Sequence, residues 1–216
     1  MNKDLIYFAV LFAMLAAMVA SIIQWERLNK ADRIIAALLT MTVLSEATAY
    51  FFMLRVNNNM YVYHVFSPIE LSIVSFYFAE TVPFFKKWKV GFWVSGIGIA
   101  MAFCNAFYLQ PISSFPSLFL LFEGFVITIL CVFSFFSMLY RDQYSLVNNA
   151  QFWITFNLLV FWSFTFLIWG TYNSFAQGLQ DKLPIIYDML TAINFITYIN
   201  YFIIFLLYKK MVRSGE

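Results

Sequence analysis

Seven long apolar stretches separated by short polar ones take up almost the whole chain: Leu5–Ile23, Ile34–Leu54, Met60–Thr81, Val90–Tyr108, Leu118–Tyr140, Phe152–Phe175 and Ile186–Tyr208. About 20 apolar residues in a helix cross the roughly 30 Å hydrocarbon layer of a bilayer, so each stretch predicts one crossing. The connections, Gln24–Arg33, Arg55–Asn59, Val82–Lys89, Leu109–Ser117, Arg141–Gln151 and Ala176–Ile185, are too short to hold a soluble domain. The pattern therefore predicts an all-α, polytopic membrane protein. Residues 1–216 form one transmembrane domain, a seven-transmembrane-helix bundle.

Polar positions inside the stretches recur at helical spacing. Tyr187, Thr191, Asn194, Tyr198 and Tyr201 follow steps of 4, 3, 4 and 3 and share one face of the seventh helix. Thr42, Glu46 and Tyr50 do the same on the second. Such stripes either join helices, at about 0.6 kcal/mol per interhelical hydrogen bond, or wall a polar cavity.

Five acids fall within the spans: Glu46, Glu70, Glu80, Glu123 and Asp188, with no Lys or Arg in any span interior to pair with them. An isolated charge at mid-bilayer costs at least about 2.5 kcal/mol, so each acid needs a reason. Glu80 sits at the end of its span beside Lys86 and Lys87 and has one. Glu123 and Asp188 lie about one turn inside the interface, within expected reach of water or headgroups. Glu46 and Glu70 are the deep pair. Together with His64, the only histidine, these acids fall at one level of the bundle, which suggests a single cavity.

The stretch "YVYHVFSPIELS" places His64, Pro68 and Glu70 within two turns. Pro68 has no N–H to bond the carbonyl of His64 and should kink the helix there. On an ideal helix His64 and Glu70 point about 120° apart, so a direct ion pair is not expected. Glu70 is expected to be a protonated acid donating to a Tyr or Asn of the second or seventh helix, with His64 nearer the water.

Composition adds the class and charge adds the orientation. The chain is 63% hydrophobic and only 11% charged, which excludes a soluble domain, and its net charge of +2 gives no basis for a nucleic-acid partner. Alternate connections divide the Lys and Arg residues unequally. Arg27, Lys30, Arg33, Lys86, Lys87, Lys89, Arg141, Lys209, Lys210 and Arg213 are on one side, and Lys3, Arg55 and Lys182 on the other. The excess of basic residues inside puts the N-terminus outside and the C-terminus in the cytoplasm, in a multi-pass arrangement in the cell (inner) membrane. The first stretch has about 19 apolar residues against the usual 7–15 of a signal peptide, so it reads as a helix that stays. Cys104 and Cys131 differ by about 13 Å in expected depth, too far for a disulfide, and both read as small buried hydrophobes.

Several chemistries are missing. The seventh helix has no lysine for a retinal Schiff base, one histidine cannot build a multi-histidine zinc site, and no phosphate-binding loop or nucleophile elbow is present. No cofactor, metal or catalytic residue is assigned.

The segment "NNNMYVYHVFSPIELSIVSFYF" resembles the third-helix region of small uncharacterised seven-helix integral membrane proteins of Bacteroidota, where Asn, aromatics and "PIE" recur. The resemblance implies the seven-helix bundle and no activity. "PIE" is also similar to a tripeptide of membrane-embedded lycopene cyclases, which carry a doubled acid where this chain has Leu71 after Glu70.

Three readings follow. The first is a sensor or transporter that binds a small ligand or ion through an outward-facing polar cavity. Its candidate wall is Glu46, His64, Glu70, Glu123, Asp188, Tyr187, Thr191, Asn194 and Tyr198, with Pro68 as the kink. The second is a structural or assembly subunit without a ligand site, whose polar stripes are only glue. The third is an intramembrane enzyme acting on a lipid or isoprenoid, with a protonated Glu70 or Glu46 as general acid. The partners expected are the lipid bilayer, a small ligand or ion, and a membrane-protein neighbour or second copy of the chain.

Overall fold

The residues described in the computed structural model are 3–141, 148–178 and 183–213, with side chains over 7–140, 148–171 and 185–211. They form the helices α1 (Lys3–Ile23), α2 (Lys30–Val56), α3 (Met60–Thr81), a short α4 (Pro83–Lys87), α5 (Val90–Cys104), α6 (Ser117–Arg141), α7 (Ala150–Gly178) and α8 (Leu183–Arg213), with no strand among them. A single-turn π-helix, Asn105–Leu109, prolongs α5. Six helices, α2, α3, α5 with its π turn, α6, α7 and α8, are long and apolar enough to cross a membrane. The chain is thus an all-α membrane bundle. α1 is apolar over Tyr7–Ile23, shorter than the other six.

Local chemistry sets the helix ends. α2 starts four residues before the hydropathy pattern suggests, because Asn29 caps it: the Asn29 side chain accepts from the Asp32 N–H at 2.9 Å. It ends at Asn57, whose left-handed conformation (φ 54°) lets its N–H bond the Met53 carbonyl. α4, which the hydropathy pattern did not signal, begins on Pro83, a residue whose fixed φ suits the first helical position.

α1 packs on α2 and α8, α2 on α3, α3 on α6, α6 on α7, and α7 on α8, so six helices close a ring. α5 lies against α3 on the periphery. Gly91 and Gly98 make that approach possible: a Cβ on Gly98 would stand 2.7 Å from Leu71 Cδ2, and one on Gly91 would stand 3.0 Å from Phe76 and 3.1 Å from Ala79. Gly96, between these two glycines in sequence, faces open space and takes no part in the approach. Ser75 and Ser95 join α3 to α5 through hydroxyls 3.1 Å apart. Large apolar side chains such as Phe12, Leu54, Trp93 and Phe107 cover the outer surface, as hydrocarbon surroundings require.

The bundle has two dissimilar ends. Connections 24–29 and 82–89 lie at the basic end, where Glu80 takes Lys30 at 2.7 Å and Lys86 at 2.9 Å. Connections 57–59 and 110–116 lie at the other, called here the cavity end.

Candidate functional site

Helix periodicity turns Thr42 and Glu46 of the α2 stripe and Tyr187, Thr191, Asn194 and Tyr198 of the α8 stripe into the ring, while Tyr50 is exposed and Tyr201 is packed off the lining. Between α2, α8, α3 and α7 lies a cavity of about 410 Å³. α2 contributes Thr42 and Glu46, α3 contributes Tyr63, Ser67 and Glu70, and α8 contributes Tyr187, Asn194 and Tyr198. A smaller lobe of about 200 Å³ shares Glu46, Tyr63, Tyr187, Asn194 and Tyr198 and adds Thr191 with Tyr7, Val10, Leu11 and Met14 of α1. Six of the candidates named from sequence, Glu46, Glu70, Tyr187, Thr191, Asn194 and Tyr198, therefore meet around one space. The volume of the larger lobe lies within the roughly 300–1,000 Å³ of small-molecule sites.

The two carboxyls are within electrostatic reach of each other, and Tyr198 is within reach of both. Among the described residues neither carboxyl takes a hydrogen bond or ion pair from the protein. The donation expected from Glu70 to a Tyr or Asn is not made, and both acids are left free toward the cavity.

His64 has a different role from the one expected of it. It is buried, and its Nε2–H donates to the Ser114 carbonyl at 2.9 Å, which holds the 110–116 connection down on α3. Asn58 Nδ2 secures the same connection through the Ser113 carbonyl at 3.2 Å. Phe115, placed by these bonds, lies against Trp169 with ring centroids 4.6 Å apart and against Tyr63 at 6.1 Å. The histidine thus supports the cavity wall and is not part of its lining. Pro68 does not end α3, which is helical from Met60 to Thr81. Two hydroxyls serve carbonyls beside it, Ser67 Oγ donating to Tyr63 O at 2.8 Å and Ser72 Oγ to Pro68 O at 2.7 Å.

Two acids expected at the cavity are not part of its lining. Glu123 is fully buried although it lies only two turns into α6, and among the described residues neither carboxyl oxygen has a partner at hydrogen-bond geometry, the Leu71 N–H of α3 being a donor near it. Packing against α3 and α7 closes off the water that its position along the chain led one to expect; Gly124 beside it abuts Phe166 and Trp162. Its carboxyl is within electrostatic reach of Glu70 but does not line the cavity. Asp188 is exposed and off the lining, one position out of register with the stripe residue Tyr187.

Three features were not signalled by the stripes. Trp162 and Trp169, seven apart on α7, line the cavity; their shared face with Thr165 was the available clue. Cys104 is exposed, not buried, because α5 is peripheral, while Cys131 is buried as expected. At the basic end Asp32 is almost fully buried, and its Oδ2 accepts from Tyr208 Oη at 2.7 Å and from Asn29 Nδ2 at 2.7 Å. A polar residue in a connection carries no hydropathy signal, so this cluster was invisible in the sequence.

Compared with known protein families, curated proteins and solved structures, the chain matches none.

Proposed function

We propose that the chain is a seven-span protein of the cell (inner) membrane, with the cavity end outside, that binds a small ligand or ion in the cavity as a sensor or transporter. The observation that carries this reading is the convergence of Glu46, Glu70, Asn194 and Tyr198 from three helices on one space with their carboxyls unpartnered. Helix glue satisfies its polar groups, as Asn157 does: it donates to the Thr197 carbonyl at 3.1 Å and accepts from Asn200 at 3.2 Å. Two free carboxyls are a cost that packing alone does not require. The ten-to-three division of Lys and Arg favours the cavity end outside and the C-terminus in the cytoplasm, with α1 as the seventh span. The third-helix resemblance supports a place beside the small seven-helix proteins of Bacteroidota.

The test is an Asn194→Cys variant on a Cys104→Ser background, treated in intact cells with a membrane-impermeant maleimide. Labelling from outside is the expected result. Labelling only after the cytoplasmic face is exposed would reverse the orientation, and none from either side would remove the cavity reading.

A further inference from the structure

We infer that the ligand of this cavity is a small organic cation, an alkyl- or arylammonium. The inference rests on the cavity reading above and adds the charge and chemical class of the occupant. Two kinds of group dominate the lining. The first is the pair of carboxyls, Glu46 and Glu70, free of any protein hydrogen bond or ion pair among the described residues. The second is aromatic: eight of the eighteen residues around the larger lobe are Phe, Tyr or Trp, among them Tyr63, Trp162, Trp169 and Tyr198. Among the described residues neither lobe includes a Lys, Arg or His.

Each kind of group narrows the occupant. A carboxylate removed from water needs a positive partner or hydrogen-bond donors, and among the described residues no cation lines the site and no donor bonds either carboxyl. Among the described residues an anion would meet two acids and no cation, which disfavours an anionic ligand. Ring faces attract cations through their quadrupole, Trp most strongly, and quaternary and primary ammonium groups are the ligands such walls suit. A bare metal ion is a poor fit, since no group of three His, Cys, Asp or Glu side chains among the described residues could hold one, and it would leave a cavity of about 410 Å³ mostly empty. A neutral polyol could use the rings, Asn194 and the hydroxyls, but would leave the carboxyl pair without its counter-charge. An ammonium group with an apolar body answers the acids and the rings together.

The experiment titrates the full-length protein in lipid nanodiscs with phenethylammonium chloride and follows tryptophan fluorescence, since two of the six tryptophans line the site. Two analogues of the same shape, 2-phenylethanol and phenylacetate, isolate the charge. Saturable quenching by the ammonium is expected, with the alcohol at least about tenfold weaker and no response to phenylacetate. Glu70→Gln should weaken the ammonium about tenfold or more and leave the alcohol unchanged, the loss typical of one partner of a desolvated charge pair. The three wild-type titrations decide the matter even if that variant does not fold. Equal or tighter binding of the alcohol, or no saturable response to the ammonium, overturns the inference. The labelled Asn194→Cys protein separates this failure from that of the cavity. Protection of the thiol by the alcohol alone leaves the cavity standing with a neutral ligand, whereas an unlabelled thiol removes the cavity itself.

Discussion

A double-mutant cycle at the basic end tests the packing argument with a number. Tyr208 and Asp32 are each 1% exposed, and their 2.7 Å hydrogen bond joins the last turns of α8 to the first turn of α2. Tyr208→Phe removes a donor from a buried carboxyl, at about 1.5–3 kcal/mol if that carboxyl is charged, and it removes the acceptor of the Asn29 N–H at 3.3 Å, at about 1 kcal/mol. The sum is roughly 2–4 kcal/mol. Asp32→Ala loses the same bond and the one Oδ2 accepts from Asn29 Nδ2, while the cap of Asn29 on the backbone N–H of residue 32 remains, so it should cost a similar amount. Because the two variants share one interaction, the double variant should be less destabilised than the sum by about 1–2 kcal/mol.

The control lies nearby. Lys30 and Lys86, which pair with Glu80, are 76% and 64% exposed, and exposed ion pairs contribute about 0–1 kcal/mol. Glu80→Gln should therefore cost less than about 1 kcal/mol, although it breaks two contacts where Tyr208→Phe breaks one to a charge. Reversible unfolding in mixed micelles titrated with dodecyl sulfate measures all of these variants. A coupling energy within about 0.5 kcal/mol of zero, or a Glu80→Gln cost above that of Tyr208→Phe, would refute the argument that burial decides the outcome here.

Three further outcomes are expected. Gly91→Ala should lower the thermal midpoint of the detergent-solubilised protein, since its Cβ would meet a backbone carbonyl of α3 at 3.2 Å and overpacking costs about 1–3 kcal/mol, whereas Gly96→Ala, with open space around it, should be neutral or stabilising. Glu123→Met should be neutral or stabilising in the same assay, because it replaces two buried oxygens that have no partner at hydrogen-bond geometry; a clear loss of stability would reveal a partner for the carboxyl. His64→Ala frees the 110–116 connection and should speed maleimide labelling of Asn194→Cys severalfold, and an unchanged rate would show that Phe115 does not depend on that bond.

The sequence was most informative where one physical signal dominated. Hydropathy placed α3 at Met60–Thr81, and the other long helices differ from their expected limits by a few residues, set by caps such as Asn29 and Asn57 that hydropathy does not weigh. Periodicity found the α8 stripe and Glu46 on the α2 stripe, because a face at helical spacing survives any rigid packing, and depth added Glu70 to them. Depth alone misled. Glu123 and Asp188 share a level with the cavity yet point elsewhere, since azimuth depends on which helices are neighbours, and that ring order is not written in any single helix. His64 depended on a partner, the Ser114 carbonyl, fifty residues away in a connection whose path no pattern foretold.

The same two helices carry both ends of the design. α2 presents Glu46 to the cavity and Asp32 to the lock at the basic end, fourteen residues apart, or about 21 Å along the helix at 1.5 Å per residue. α8 presents Tyr198 to the cavity and Tyr208 to the lock, ten residues and about 15 Å apart. Between them Ile35, Leu39, Tyr201 and Phe205 are all buried, so the segment below the cavity is a packed plug. On the proposed reading, passage from the cavity end to the basic end requires this packed segment to open. The Asp32–Tyr208 bond ties α2 to α8 below that segment, so a movement of either helix on ligand binding would be felt there. A ligand that moves these helices changes the strength of that bond, so the coupling energy measured at Asp32 and Tyr208 should itself depend on occupancy of the cavity. A coupling energy that phenethylammonium leaves unchanged would mean that the two ends act independently.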